Sequence, residues 1–350
     1  MIFIIICILF FQQLQNDRVL AAIVDVSADL ELIRVNYNMP GLSALAFKNG
    51  NIIAQGASGY RRLGNPTPLL VTDRINLGSN SKWMTATLAG RLVDQKVLSW
   101  TTQVHECFPN FMSYNSAFRN ATLEQFLAHR SGVQQSTTFY SRYYNALLAQ
   151  KGTFCQIRYW VTETVLKDVP EVQPGEFLYA NQGYAVAAAM MEQITGRDWE
   201  SLVQEHVFTA LQMTSATIGV VYDDIIPPKT PVGHDLAPNK TIPVPHWVKF
   251  LRAHIIGVST GYLTAITADK LKRPFIGVEG YGLGVQAYNR TWATPGLALA
   301  HGGDIFGHET VFWMTPGRDL IVAIFANCLS VNKTGLALDN AANLLLARYV

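Results

Sequence analysis

The chain has 350 residues, 49% of them hydrophobic and 15% charged, which leaves room for a sizeable core in one or two domains. A formal net charge of +2 without any basic block argues against a nucleic-acid partner. Heptads, low-complexity stretches and internal repeats are absent from the sequence, which sets coiled coils and solenoids aside.

In chain order, Ile2 to Phe11 is continuously apolar and is then broken by Gln12, Gln13, Gln15, Asn16 and Asp17. This is too short to span a bilayer, which needs about 20 residues, and it has the length of a signal-peptide core, about 7–15 residues. Only the Met1 amine precedes it as positive charge, and Leu20-Ala21-Ala22 offers a small-residue cleavage site. A signal peptide over residues 1–22 is expected in preference to a buried N-terminal strand, with no stable membrane span.

Ser27 reads as a cap for a helix over Ala28 to Tyr37, with Leu30, Leu32, Ile33 and Val35 apolar. Gly41 to Lys48 and Asn51 to Gly59 read as strands around Asn49-Gly50, a strong hairpin signal. A turn-like Asn76-Leu77-Gly78 leads into Ser79-Asn80-Ser81-Lys82 and a helix-like stretch from Trp83 to Gln95. Helical periodicity continues over Leu123 to Ala128, Asn145 to Leu148, Tyr184 to Thr195 and Trp199 to Phe208, with Thr195-Gly196 a helix stop. Glu309 to Met314 and Leu320 to Asn327 flank a turn at Thr315 to Asp319, and Leu336 to Tyr349 reads as a closing helix. The expected fold is α/β of the α+β kind. One antiparallel sheet is built from both chain ends (23–78 and 297–350) and flanked by terminal helices, with a mainly helical insertion at 79–296 beside it. A cleft between the two parts is the natural place for a site.

Ser79 and Lys82 are three residues apart, which puts them on one helix face. A serine hydroxyl needs a nearby base to become a nucleophile, and a lysine kept neutral by burial can serve. Backbone N–H groups at a helix start favour developing negative charge there. The spacing recurs at Ser330/Lys333, between a strand and the last helix, where a loop or capping role fits better. Tyr179-Ala180-Asn181 follows Pro174-Gly175, a lead-in that the decoy Tyr143-Tyr144-Asn145 lacks, and His301-Gly302-Gly303 stands at a strand edge further on. Singly, Tyr179 reads as well as a core tyrosine, Asn181 as a helix cap and His301 as a satisfied strand-end histidine; the ordered set favours an active site.

With these motifs in order, the chain from about Asp25 resembles the serine β-lactamase and penicillin-binding-protein family, in particular its class C-type branch. That branch includes family VIII carboxylesterases, D-amino-acid peptidases and animal β-lactamase-like proteins. Leu127-Ala128-His129-Arg130-Ser131-Gly132 belongs to the same resemblance. It implies a β-lactamase/transpeptidase-like fold, Ser79 as acylated nucleophile, Lys82 and Tyr179 as the proton-transfer pair, and Asn181 orienting Lys82 or holding a substrate carbonyl. It also implies an oxyanion hole from the N–H groups of Ser79 and Asp304, reached through Gly302 and Gly303.

Two departures stand out. His301 occupies the place where lactamases carry lysine, which points to an esterase or lactamase-like hydrolase rather than an efficient lactamase, since histidine is mostly neutral at pH 7. The Gly-Gly-Leu/Ile…Ser-Thr…Asp-Met stretch usual before the helix at Trp247 is absent. The function expected is a secreted serine hydrolase acting on a small ester, amide or peptide, without metal or organic cofactor. The alternatives are a D-amino-acid peptidase and a non-catalytic member used for binding or self-assembly.

Other chemistry is weaker. His105-Glu106-Cys107 has no partner at metal-ligand spacing, and His301, Asp304 and His308 fit the glycine motif better than a metal trio. Gly282-Leu283-Gly284 marks a strand bend. Beyond the leader, Cys107, Cys155 and Cys328 allow at most one intramolecular disulfide. Sequons at Asn120, Asn239, Asn289 and Asn332 fit N-glycosylation in a secretory route.

Overall fold

Leu320–Ala326 is apolar and buried at every position, because both of its faces are covered. The structure, a computed structural model, describes residues 22–110, 113–218, 228–234, 242–275, 280–305, 307–329 and 333–350. The apolar leader, the sequons at Asn239 and Asn332, and Ser330 lie outside the described residues.

Among the described residues the main sheet has eight strands: β1 (Val24–Asp25), β2 (Gly41–Lys48), β3 (Asn51–Gly59), β4 (Gly280–Tyr281), β5 (Gln286–Tyr288), β6 (Ala298–Ile305), β7 (His308–Thr315) and β8 (Leu320–Ala326). Their order is β1-β3-β2-β8-β7-β6-β5-β4, antiparallel throughout except where β1 runs parallel to β3. The expected sheet from both chain ends is present, and two short strands, β4 and β5, come from within 79–296. Asn49 and Gly50 both take positive φ, 51° and 88°, and join β2 to β3 in a two-residue turn.

The described α-helices of five residues or more are α1 (Ser27–Asn36), α2 (Ser81–Asp94), α3 (Leu123–Leu127), α4 (Ser136–Leu148), α5 (Phe154–Lys167), α6 (Asn181–Thr195), α7 (Trp199–Val203), α8 (Val244–Ile256), α9 (Ala265–Lys272) and α10 (Thr334–Tyr349). Alternation along β8 divides the core in two. Leu320, Val322 and Ile324 pack with Leu30 of α1 and Leu338, Ala341 and Leu345 of α10. Ile321, Ala323 and Phe325 face the helical part, where Trp83, Leu88 and Leu92 of α2 are buried. Every residue from Lys82 to Gly90 is buried, so α2 runs through the middle of the molecule.

Three local readings are corrected. Ser27 is the first residue of α1 rather than its cap, which falls at Val26. Ser79 lies in a 3₁₀ turn, Gly78–Asn80, one step ahead of α2, and α2 starts at Ser81 rather than Trp83. His301 is inside β6, paired with Phe312, rather than at a strand edge. The helix after the absent glycine-rich stretch is docked: the His254 ring stacks on Trp83 at 3.8 Å, and Trp247 meets Phe312 edge-on at 5.8 Å. The expected bend at Gly282 to Gly284 joins β4 to β5. Gly284 has φ +84°, and a β-carbon there would lie 2.7 Å from the Trp83 backbone.

Candidate active site

The site begins where the Gly78–Asn80 turn leans on β6. Gly78 has φ +50°, and a β-carbon on it would lie 2.8 Å from the Asp304 backbone nitrogen. A β-carbon on Gly303 would collide with the Leu77 carbonyl and come within 2.8 Å of Asn80 Nδ2 and 2.9 Å of Thr310 Oγ1. Two glycines thus let the serine turn and the strand touch backbone to backbone. The contact is pinned by Thr310, whose hydroxyl accepts from Asn80 Nδ2 at 2.8 Å and shares its proton between the carbonyls of Gly303 (3.1 Å) and Leu77 (3.2 Å).

In this turn Ser79 is half-buried. Lys82, 7% exposed, brings its Nζ to 2.8 Å from the Ser79 hydroxyl. The amine also lies 4.8 Å from the centre of the Tyr179 ring and 5.8 Å from that of Tyr184. Burial drives the Lys82 amine down to about 7, against the pull of the Asp304 carboxylate. Burial drives the Tyr179 phenol up to about 12; its hydrogen bond with Ser79 pulls the other way, and Asp304 adds to the rise. Near neutral pH the amine is poised to exchange a proton and the phenol is held protonated.

Tyr179 is placed by His129. The Leu178 N–H donates to the His129 carbonyl at 2.8 Å, and the Ala180 N–H donates to His129 Nδ1 at 3.1 Å, so one residue grips both flanks of the tyrosine. Their rings lie 4.1 Å apart. His129 takes φ +57°, an uncommon conformation for a non-glycine residue, in order to offer both acceptors.

Ser79, Lys82 and Tyr179 therefore converge, with the backbone of Gly303 and Asp304 against the same turn. The side chains of two other expected residues make no hydrogen bond to Ser79, Lys82 or Tyr179 among the described residues. Asn181 opens α6 and is exposed, and its side chain makes no hydrogen bond to Lys82 among the described residues. His301 is only 6% exposed and both ring nitrogens are taken, Nε2 by the Tyr281 hydroxyl at 3.1 Å and Nδ1 by the Gly302 carbonyl at 2.5 Å. Burial pushes His301 down to about 4, opposed by the Gly302 carbonyl and assisted by Lys82, so it supplies no fixed positive charge. His308 turns away to Asn76 Nδ2 (2.9 Å) and the Pro231 carbonyl (3.3 Å), which separates it from His301 and Asp304.

Residues that sequence reasoning passed over are Asn80, Thr310, Tyr184 and Tyr281. Tyr184 and Tyr281 read as ordinary core aromatics in the sequence. Beside the serine turn, Leu77, Gly78, Met84, Val203, Phe208 and Ile218 line an apolar pocket of about 110 Å³.

A family model described as Beta-lactamase matches residues 16–347. The chain is 24% identical over 335 residues to Penicillin-binding protein 4 of Amycolatopsis lactamdurans, covering 85% of this chain and 83% of that protein. Among solved structures it is similar to a D-amino acid amidase from Ochrobactrum anthropi SV3, determined with L-phenylalanine (TM-score 0.69, 17% identity, 91% of this chain and 96% of that one). It is also similar to EstCE1, described as a hydrolase with promiscuous acyltransferase activity (TM-score 0.71, 17% identity, 90% and 97%). At these identities the structural likeness establishes the fold.

Proposed function

The chain belongs to the Beta-lactamase family, and from that membership we propose that it is a serine hydrolase working through an acyl-enzyme on a neutral ester or amide. The observation that carries the proposal is the 2.8 Å contact between Lys82 Nζ and Ser79 Oγ, made by an amine that burial holds near 7. Neutral Lys82 takes the Ser79 proton as Oγ bonds to the carbonyl carbon. The Tyr179 phenol protonates the leaving alcohol or amine as its bond to that carbon breaks, and recovers its proton from the Lys82 ammonium. Water then cleaves the Ser79 ester. The N–H groups of Ser79 and Asp304 are the oxyanion donors in this reading.

The electrostatics bear on the substrate class. His301 offers neither charge nor a spare donor, and Asp304 sets a carboxylate near Lys82 and Tyr179, so His301 gives a substrate carboxylate no cation and Asp304 opposes one. The apolar pocket beside Gly78 suits a small hydrophobic substituent. This favours an uncharged ester or amide over a lactam acid, in line with the amidase and hydrolase among the structural neighbours. We further propose passage through the secretory route, supported by the apolar leader and the four sequons.

Labelling with a fluorophosphonate, followed by intact mass, tests the nucleophile. Wild type is expected to gain one adduct and Ser79→Ala none; equal labelling of both would sink the assignment. Comparing p-nitrophenyl esters with D-alanyl peptides separates esterase from peptidase. A folded protein that turns over no ester, amide or β-lactam would point instead to a binding role.

A further inference from the structure

Three side chains behind Tyr179 form one hydrogen-bonded line. The Ala180 N–H donates to His129 Nδ1 at 3.1 Å, and His129 Nε2 lies 3.3 Å from the Tyr281 hydroxyl. That hydroxyl lies 3.1 Å from His301 Nε2, and His301 Nδ1 lies 2.5 Å from the Gly302 carbonyl oxygen. Both ends are backbone groups, which orders every proton between them. An amide N–H only donates, so His129 Nδ1 accepts and the neutral ring keeps its proton on Nε2. A carbonyl only accepts, so His301 carries its proton on Nδ1 and presents Nε2 as an acceptor. Tyr281 therefore accepts from His129 and donates to His301, with the Tyr184 oxygen as a second acceptor. The Tyr184 hydroxyl beside it gives its own proton to the Leu127 carbonyl at 2.6 Å.

We infer that His129 and Tyr281 are positioning residues that register Tyr179 against the strand carrying Gly302, Gly303 and Asp304. One end of the line holds the peptide that follows Tyr179, and the other holds the peptide that precedes Gly303. His129, Tyr281 and His301 are 2%, 8% and 6% exposed, so water does not compete for these bonds. A buried line with every partner satisfied is stiff, and losing one hydroxyl leaves two ring nitrogens without partners. His301 belongs to this brace and does not reach the substrate. The inference rests on the acyl-transfer reading above, because only that chemistry needs the phenol and the Asp304 N–H held at a set separation.

The test uses the whole protein and two readouts. Histidine ¹⁵N NMR at pH 7, with His301 assigned through His301→Gln, is expected to show His301 as the neutral Nδ1–H tautomer and His129 as Nε2–H. In Tyr281→Phe the His301 Nε2 resonance is expected to shift as it loses its donor, while Nδ1 keeps its proton, donated to the Gly302 carbonyl. Its kcat on a neutral p-nitrophenyl ester is expected to fall about tenfold or more, with KM within about twofold. Should Tyr281→Phe lose its cooperative melt, His129→Asn takes its place. Asparagine tolerates positive φ and can still accept from Ala180, but it does not reach Tyr281. A wild-type His301 that is Nε2–H or charged overturns the inference, as does a folded variant with unchanged kcat and an unshifted His301 Nε2 resonance. If wild type proves inactive on every ester and amide, the hydrolase reading fails while the tautomers still decide the brace.

Discussion

The Lys82 amine sits 4.8 Å from the centre of the Tyr179 ring, and the protein drives the two groups in opposite directions, the amine down to about 7 and the phenol up to about 12. Desolvation is the larger cause for both, because each loses its charged form when water is removed. A phenolate at Tyr179 would need a nearby cation, and a lysine that is half neutral at pH 7 is a poor one. In the proposed reaction Lys82 is therefore the first proton acceptor and Tyr179 a donor.

A pH–rate profile follows. With a neutral ester, kcat/KM is expected to rise with pH through about 7 as Lys82 loses its proton, and to stay level until the phenol ionises well above pH 10. Lys82→Met should lower kcat/KM by about 10²–10⁴-fold, the usual range for losing a general base. Tyr179→Phe should keep the rising limb near 7 at reduced rate. Stopped-flow or plate-reader ester hydrolysis from pH 5 to 10 measures both. A rising limb that disappears in Tyr179→Phe would move the base role to the phenol.

The junction between the serine turn and β6 gives a second prediction. Gly303→Ala forces a methyl into the Leu77 carbonyl, which is backbone and cannot swing aside, so the turn and strand must separate. Fluorophosphonate labelling is expected to vanish even where the protein still melts cooperatively. Thr310→Val keeps the shape and removes the hydroxyl, leaving buried Asn80 Nδ2 without its 2.8 Å partner. The expected loss is about 1–3 kcal/mol, read from urea unfolding. A Gly303→Ala protein that labels at the wild-type rate would refute the close-contact argument.

Much of this was legible because local rules carried it. Asn49-Gly50 dictates a tight turn, the apolar run over β8 dictates a covered strand, and Ser79 and Lys82 meet because their spacing matches a helical turn. Tyr179 was found through its Pro-Gly lead-in and its order in the chain, and the structure adds how His129 grips it. The side-chain directions of Asn181 and His301 were not legible, for one reason. A motif specifies where the backbone goes, while the direction of a side chain depends on tertiary partners. Asn181 starts a helix with its side chain exposed, and His301 turns inward because Tyr281, twenty residues earlier, offers it a hydroxyl. Nothing near Tyr281 in the sequence marks it as more than a core aromatic.

Two buried groups, Glu309 and Lys82, put opposite slopes into stability on either side of neutral pH, on top of the rise between about 4 and 6.5 that burial of His301 and His308, both pushed down to about 4, imposes. Burial, with the Asp304 and Asp339 carboxylates adding to it, raises Glu309 from 4.5 to about 7. A raised folded value means its contribution is fully present below 4.5 and is lost as pH climbs through 7. Lys82 falls from 10.5 to about 7, so between 7 and 10.5 the unfolded chain binds more protons than the folded one, and stability rises with pH across that window. Against that background Glu309→Gln is expected to raise Tm by a few degrees at pH 8, with little change at pH 4.5, and Lys82→Met should lessen the rise between pH 7 and 10.5. Differential scanning fluorimetry from pH 4 to 10 checks both, and a Glu309→Gln difference that does not grow between pH 4.5 and 8 would contradict the first.

The sequon at Asn120 separates a glycan from a helix cap. Asn120 is exposed in the turn before α3, while Thr122, the residue that makes the sequon, is the cap of α3. The Thr122 hydroxyl accepts from the Gln125 N–H at 3.3 Å, and the Gln125 side chain accepts from the Thr122 N–H at 2.9 Å. Both partners of this capping box are local, so losing the threonine hydroxyl should cost about 0.5–2 kcal/mol. Expressed through a eukaryotic secretory route, wild type is expected to lose mass on treatment with an N-glycosidase. Asn120→Gln should remove one glycan and leave the cap intact. Thr122→Ala should remove the same glycan and also lower stability, and Thr122→Ser should keep both. The cap and the glycan are thus separable by three variants, each scored by deglycosylation mass and thermal melting. Wild type that carries no glycan at Asn120 would remove one support for secretion and leave the helix cap untouched, because Thr122 closes α3 with or without a sugar on its neighbour.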